Sequence, residues 1–297
     1  MLKLFLPAIS LLCLCLSSHS LAAPVDSDSI PIKVGGSMES IHGHSITDAE
    51  ISFQLIFNEL LKEVNESFTL KIYKQRSTLN DLFEKGDLQV ILTNSLNFLD
   101  LDSLIHPTAR YAVQYGGSLK QPYLLLVRRT NKLVHLKYLR GKKLSLANGH
   151  LIGKLFLDVQ LLENGLPSSD NFFGEIVTVK GANTSIIDLY FGKIDAALVP
   201  QFSLETALEL NPQIKDKVEI LAVSKPMIYQ AVGVRHDFPQ SRIDNFEPSI
   251  ITENPGKRLK QVFNTFRIVR LHRITDNALS EVKDLVKHHN KLIGQER

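Results

Sequence analysis

Two distant stretches of this chain carry the same succession of residue types. Leu82-Phe83-Glu84-Lys85-Gly86-Asp87-Leu88-Gln89-Val90-Ile91-Leu92 is matched by Asp188-Leu189-Tyr190-Phe191-Gly192-Lys193-Ile194-Asp195-Ala196-Ala197-Leu198. Each reads as a helix end, a Gly that caps it in the left-handed conformation, and a buried strand. Gly86 aligns with Gly192, Leu88 with Ile194, Val90 with Ala196 and Leu92 with Leu198. The strands run into polar ends, Thr93-Asn94-Ser95 in one copy and Pro200-Gln201 in the other. Open α/β sheets collect ligands at the carboxyl ends of their strands. Two such units predict two α/β lobes, each offering one wall of a site.

The surrounding pattern fills in the lobes. Ile32-Lys33-Val34 alternates as a first strand and ends at Gly35-Gly36-Ser37, where a ligand can approach the backbone or the chain simply turns. Thr47-Asp48-Ala49-Glu50 fits a capping box with Thr47 as N-cap. The helix it opens places Phe53, Ile56, Phe57, Leu60 and Val64 on one face. Leu70 to Tyr73 is a second strand, Ser77 to Lys85 a helix and Leu88 to Leu92 a third strand. This order predicts a mostly parallel sheet. A second run starts after Gly141, with strands at Lys143–Leu146, Glu175–Val179, Ala196–Val199 and Val218–Leu221. A helical face of Ile152, Leu155, Phe156, Val159 and Leu162 lies between the first two, and Asn183-Thr184-Ser185 opens the next helix. Tyr123 to Val127 leads out of the first lobe and Tyr229 to Val234 leads back. Two closing helices carry Leu259, Val262, Phe263 and Phe266, then Leu279, Val282, Leu285 and Val286. The expected organisation is a first lobe of residues 30–122 and 226–294, interrupted by a second lobe of residues 123–225. The segments near 118–127 and 222–232 are expected to lie side by side as a hinge.

Lys3 followed by the apolar run Leu4 to Leu16 and by Ser20-Leu21-Ala22 reads as a cleavable secretory signal over residues 1–22. It is too short for a spanning helix. Both cysteines, Cys13 and Cys15, fall inside it, and neither follows the small residue that a lipid-attachment site needs. The remaining chain has no cysteine for disulfides, thiolate nucleophiles or Cys-ligated metals. Beyond Lys3 the charges nearly balance, 33 basic against 31 acidic residues. No basic run points to nucleic acid. An exported and lipid-free protein is expected.

With those elements placed, the chain resembles the type 2 periplasmic solute-binding proteins, in particular the phosphate/phosphonate-type components of ABC transporters. Leu136-Lys137-Tyr138-Leu139-Arg140-Gly141-Lys142-Lys143-Leu144 is similar to the family's "sL.dLkGkkv" lead into the second lobe. Phe191-Gly192-Lys193-Ile194-Asp195-Ala196-Ala197-Leu198 is similar to its "G.vDaa" strand. The resemblance implies a periplasmic protein, expected as a monomer, with a two-lobed α/β fold and two crossover segments. It also implies a small anionic ligand, phosphonate- or phosphate-like, and an ABC permease as partner. A membrane signalling partner is the alternative, since this fold also serves sensing.

The candidate ligand-binding residues are Ser37, Thr93, Asn94, Ser95, Tyr111, Asn148, Gly149, His150, Asn183, Thr184 and Ser185. Helix starts attract anions through free N–H groups, and Asn148-Gly149-His150 and Asn183-Thr184-Ser185 stand at two of them. Asn148, Asn183 and Ser185 serve equally as ordinary N-caps. Thr93, Asn94 and Ser95 follow a buried strand directly. Tyr111, Tyr115 and Tyr123 offer aromatic faces, with Tyr123 also suited to the core. Arg110 and Arg128 suit an anion or plain solvation. His42-Gly43-His44 and His288-His289 lack partners at metal-ligand spacing, so no metal and no cofactor are expected. Glu39 with His42 or His44 is the one pair that suggests acid–base chemistry, of the kind a lyase or dehydratase on this scaffold needs. The expected function is binding, without catalysis.

Overall fold

The computed structural model describes residues 30–38, 45–61, 64, 66–129, 135–147, 149–253, 256–265 and 267–294. The strands are β1 (Ile32–Ser37), β2 (Phe68–Tyr73), β3 (Val90–Asn94), β4 (Ile105–Tyr115), β5 (Tyr123–Arg128), β6 (Lys143–Ala147), β7 (Glu175–Val179), β8 (Ala196–Pro200), β9 (Val218–Val223), β10 (Gln230–Arg235) and β11 (Ile268–Arg273). The helices are α1 (Ile46–Leu60), α2 (Arg76–Glu84), α3 (Ser95–Asp100), α4 (Leu151–Glu163), α5 (Ser169–Phe172), α6 (Ala182–Phe191), α7 (Gln201–Leu210), α8 (Ile214–Lys217), α9 (Gln240–Ile250), α10 (Lys257–Thr265) and α11 (Ser280–Leu292).

The strands sort into two mixed sheets, six-stranded in the order β11-β4-β10-β3-β1-β2 and five-stranded in the order β7-β6-β8-β5-β9. β1, β2 and β3 run parallel, as do β6, β7 and β8. The expected two-lobed α/β architecture is therefore present. One crossing strand joins each sheet antiparallel, β10 beside β3 and β5 beside β8. The two connections lie side by side. Gln121 and Met227 exchange both backbone hydrogen bonds at 2.9 Å. The Tyr123 carbonyl accepts from the Ser224 N–H at 2.9 Å, and the Ser224 hydroxyl accepts from the Tyr123 N–H at 2.8 Å.

The repeated helix–Gly–strand unit is a repeat in three dimensions. Gly86 and Gly192 are left-handed, with φ of 82° and 75°. Asp87 N–H reaches back to the Leu82 carbonyl and Lys193 N–H to the Asp188 carbonyl, each at 2.9 Å, the six-to-one bond of a Schellman cap. Each unit also has a third part that comes from its crossing strand. Arg235 at the end of β10 donates to the carbonyls of Phe83 and Glu84 at the C-terminus of α2. Arg128 at the end of β5 lies so close over Gly192 that a Cβ there would sit 2.2 Å from its Nη1. Guanidinium groups in these places complement the negative ends of α2 and α6.

Two helix starts differ from expectation. Ser45, not Thr47, caps α1: its hydroxyl accepts from Asp48 N–H at 3.1 Å. Ser45 and Asp48 keep the spacing of a capping box two residues earlier. Glu50, displaced from that role, accepts from Ile72 N–H at 2.8 Å and ties α1 to β2. α6 begins at Ala182 with Gly181 as a cap that supplies no side chain. Among the described residues no helix is long and apolar enough to cross a membrane.

Candidate functional site

The strand register sets two rows of residues along the facing sheet edges. Gln230 pairs with Asn94 and Ser37 with Tyr73, so Gln230 at the start of β10 and Asn94, Ser37 and Tyr73 at the ends of β3, β1 and β2 line one edge of the first sheet. Tyr115 joins this row where β4 ends beside β10, and its hydroxyl donates to Gln230 Oε1. In the second sheet Ala147 pairs with Val179 and Pro200 with Tyr123. None of these residues is charged.

Aromatic rings join the two rows. Tyr115 stacks on Phe202, centroids 5.3 Å apart and planes 17° apart. Tyr229, just before β10, meets Tyr123 edge-on at 4.8 Å, Phe202 at 5.7 Å and His150 at 6.3 Å. The Tyr123 hydroxyl and His150 Nδ1 are 3.2 Å apart. Tyr115 and Tyr229 hang from the first sheet, and Tyr123, His150 and Phe202 from the second lobe. Tyr115, Tyr123, Tyr229 and Phe202 are all buried. Edge-on and offset pairs of this kind contribute about 0.5–1.5 kcal/mol each beyond the area they bury. The sequence makes room for them at Gly153 in the first turn of α4, where a Cβ would lie 2.6 Å from ring carbons of Tyr123.

The cluster is electrically neutral near neutral pH. Burial lowers His150 from 6.5 to about 4, because the imidazolium loses its hydration there. Burial, then the neighbouring Tyr123 and Tyr115 hydroxyls, raises Tyr229 well above the ordinary phenol range. Burial also raises Tyr115. The backbone contributes positive potential here. α4 and α6 both start at this edge and neither N-cap supplies a side-chain acceptor. Their first N–H groups carry the partial positive charge of a helix start.

Neutral His150 links stability to pH. Its folded pKa is depressed, so the unfolded chain holds more protons between about pH 4 and pH 6.5. The stabilisation is complete above pH 6.5 and is lost as pH falls through about 4. Between about pH 7 and about pH 4.5 the native protein should lose on the order of 2 kcal/mol more than His150→Gln. Denaturant unfolding of both proteins at the two pH values reads this difference. Parallel losses would show that His150 is hydrated and titrates normally.

The structure distributes the sequence candidates as follows. Ser37 and Asn94 sit in the first row, both buried. Asn94 also caps α3 by accepting from Asn97 N–H at 3.0 Å. Thr93 is fully buried and accepts from Asn97 Nδ2 at 3.1 Å. Ser95 donates to the Ile228 carbonyl at 2.7 Å, which fastens α3 to the returning crossover. Gly149, with φ of 80°, and His150 form the start of α4. Asn148 lies outside the described residues, as do Glu39, His42 and His44. Asn183 and Thr184 are exposed in the first turn of α6, while Ser185 turns inward and shares a 2.8 Å hydrogen bond with Ser145. The expectation that Tyr111 lines the cleft is corrected. It lies in the middle of β4, fully buried in the wall of the first lobe's apolar interior with Ile32, Val34 and Phe246. Strand alternation and the pairing of β4 with β10 and β11 put it there. Arg110 is buried against Asp102 and is engaged within the first lobe. His288 pairs with Glu163 at 2.7 Å and joins α11 to α4.

Sequence reasoning did not place Tyr229, Gln230 or Phe202 in the site. A signal was available for each. Tyr229-Gln230 opens the returning strand beside the paired crossovers, and Phe202 follows the polar strand end Pro200-Gln201.

The model of the phosphonate periplasmic substrate-binding protein of ABC transporters matches residues 45–279. Solved structures share the fold. XAC2383 from Xanthomonas citri bound to chloride ion aligns with a TM-score of 0.66 at 15% identity, over 90% of this chain and 99% of that one. PhnD1 from Prochlorococcus marinus in complex with methylphosphonate aligns with a TM-score of 0.66 at 15% identity, over 89% and 98%. A binding protein component of an ABC phosphonate transporter from Pseudomonas aeruginosa gives 0.68 at 9% identity, over 89% and 88%. No curated protein sequence matches the chain. With most of its length inside the family model, the chain belongs to the phosphonate-type periplasmic substrate-binding family of ABC transporters.

Proposed function

We propose that the chain is an importer's receptor that closes its two lobes on a small oxyanion of the phosphonate or phosphate class. The observation that carries this reading is the uncapped starts of α4 and α6 at an edge where neither row holds a charged side chain. Among the described residues the two rows bring no carboxylate to this edge, and a water-poor site strengthens each hydrogen bond to an anion. Asn183 and Thr184, exposed at the start of α6, add side-chain donors. Ser37, Asn94 and Gln230 supply polar groups from the first lobe. The paired crossovers are the hinge about which the lobes close. Delivery to an ABC permease follows from the family.

Calorimetric titration with methylphosphonate, inorganic phosphate and methanesulfonate tests the proposal. One site per chain is expected for at least one of the three, with the compound recovered unchanged. Absence of binding for all three, or turnover of any, contradicts it.

A further inference from the structure

Tyr229 is 5% exposed, and among the described residues its hydroxyl has no well-aligned hydrogen-bond partner, although the Tyr123 hydroxyl is a close neighbour. Buried phenols ordinarily find a partner, because an unpaired buried donor forfeits its hydration without compensation. The neighbouring polar groups are already engaged with one another rather than aligned on Tyr229. Tyr123 and His150 interact with each other, and the Tyr115 hydroxyl is given to Gln230. Nor does the backbone leave Tyr229 free to withdraw. Its carbonyl accepts from Ser95 N–H at 2.9 Å, and the preceding carbonyl, of Ile228, accepts from the Ser95 hydroxyl at 2.7 Å. The ring is wedged edge-on among Tyr123, Phe202 and His150. A residue fastened to the first lobe thus holds a free donor among second-lobe groups, beside the start of α4.

We propose that the Tyr229 hydroxyl is the first lobe's direct hydrogen-bond donor to a ligand oxygen held at the start of α4. The assignment rests on the receptor reading above and adds a specific group to it. Two independent features at one place ask for the same thing. The uncapped helix start favours negative charge, and the orphan phenol needs an acceptor. Because Tyr229 stands at the returning crossover, a ligand taking its proton bridges the hinge itself. Closure and binding then draw on the same contact.

A second orphan phenol supplies an internal control. The Tyr111 hydroxyl also has no partner among the described residues, yet it sits in the first lobe's interior, away from any helix start at the cleft. Removing either hydroxyl relieves an unpaired donor, so both Tyr229→Phe and Tyr111→Phe should keep or raise the ligand-free melting temperature, by up to about 5 °C. Only Tyr229→Phe should weaken methylphosphonate binding, by about ten- to a hundred-fold measured by calorimetry. Tyr111→Phe should stay within about two-fold of the native protein. Native-like affinity in Tyr229→Phe overturns the assignment while leaving the receptor reading intact. So does a loss of affinity that comes with a lowered melting temperature, which marks the hydroxyl as structural. If the native protein itself fails to bind methylphosphonate, phosphate and methanesulfonate, the receptor reading falls and the assignment with it.

Discussion

Arg273→Leu should lower folding stability by about 3–5 kcal/mol, while Glu247→Gln should cost less than half of that. The two residues form one bidentate pair: Arg273 Nε donates to Glu247 Oε1 at 2.7 Å, and Nη2 meets Oε2. Their surroundings differ. The Glu247 side chain on α9 is 6% exposed, whereas the Arg273 side chain on β11 is 53% exposed. Taking away the arginine strands a carboxylate where water does not reach. Taking away the acid leaves a guanidinium that turns outward and hydrates. The asymmetry follows from desolvation, because the Coulomb attraction lost is the same in both variants. Urea unfolding at neutral pH measures both. Equal and small losses would mean that the carboxylate finds other partners or water.

The second large effect is expected at Gly174. A Cβ there would lie 2.5 Å from the Gly141 carbonyl oxygen and 3.1 Å from its carbon. Both obstacles are backbone, so no side chain can rotate away. The contact is fixed from both sides. Gly174 N–H donates to the Lys142 carbonyl at 3.0 Å, and Gly141 N–H to the Phe172 carbonyl at 2.9 Å. Gly141 itself is left-handed, with φ of 71°. Gly174→Ala should therefore prise the turn before β6 away from the start of β7, at a cost of about 3 kcal/mol. Thermal and urea unfolding check it. A variant as stable as the native protein would show that this turn moves freely.

That turn also shows why the fold was legible in the sequence. Leu139-Arg140-Gly141-Lys142 is recognisable because its glycine meets a backbone requirement, and such requirements leave residue-type signatures. Gly86 and Gly192 are legible for the same reason. Where an element depends on distant neighbours, the sequence is silent. β4 escaped notice because Pro107 and the buried Arg110 interrupt its alternation, and Arg110 is tolerated through Asp102, Asp276 and the Ile105 carbonyl. β11 escaped because its charged residues face an edge, and its place is set by pairing with β4.

The candidate site was legible as strand ends and helix starts, less so as side chains. Thr93, Ser95 and Ser185 are polar residues at the expected positions, but their hydroxyls are engaged inside their own lobes. A strand that ends beside a crossover must satisfy its neighbours' backbone and side chains, and small hydroxyls do that. Tyr229 and Phe202 meet only because two crossovers bring the lobes together. No local pattern records that contact.

Amide chemical-shift mapping with methylphosphonate tests the central claim most directly, since it reports on both lobes in one titration. The account predicts that the amides of Gly149 to Lys154 and Ala182 to Ser185 in the second lobe move together with those of Asn94 to Asn97 and Tyr229 to Ala231 in the first. All should follow one binding curve. Shifts confined to a single lobe, or centred on the face where α11 packs against α4, would contradict a ligand held between the two sheet edges.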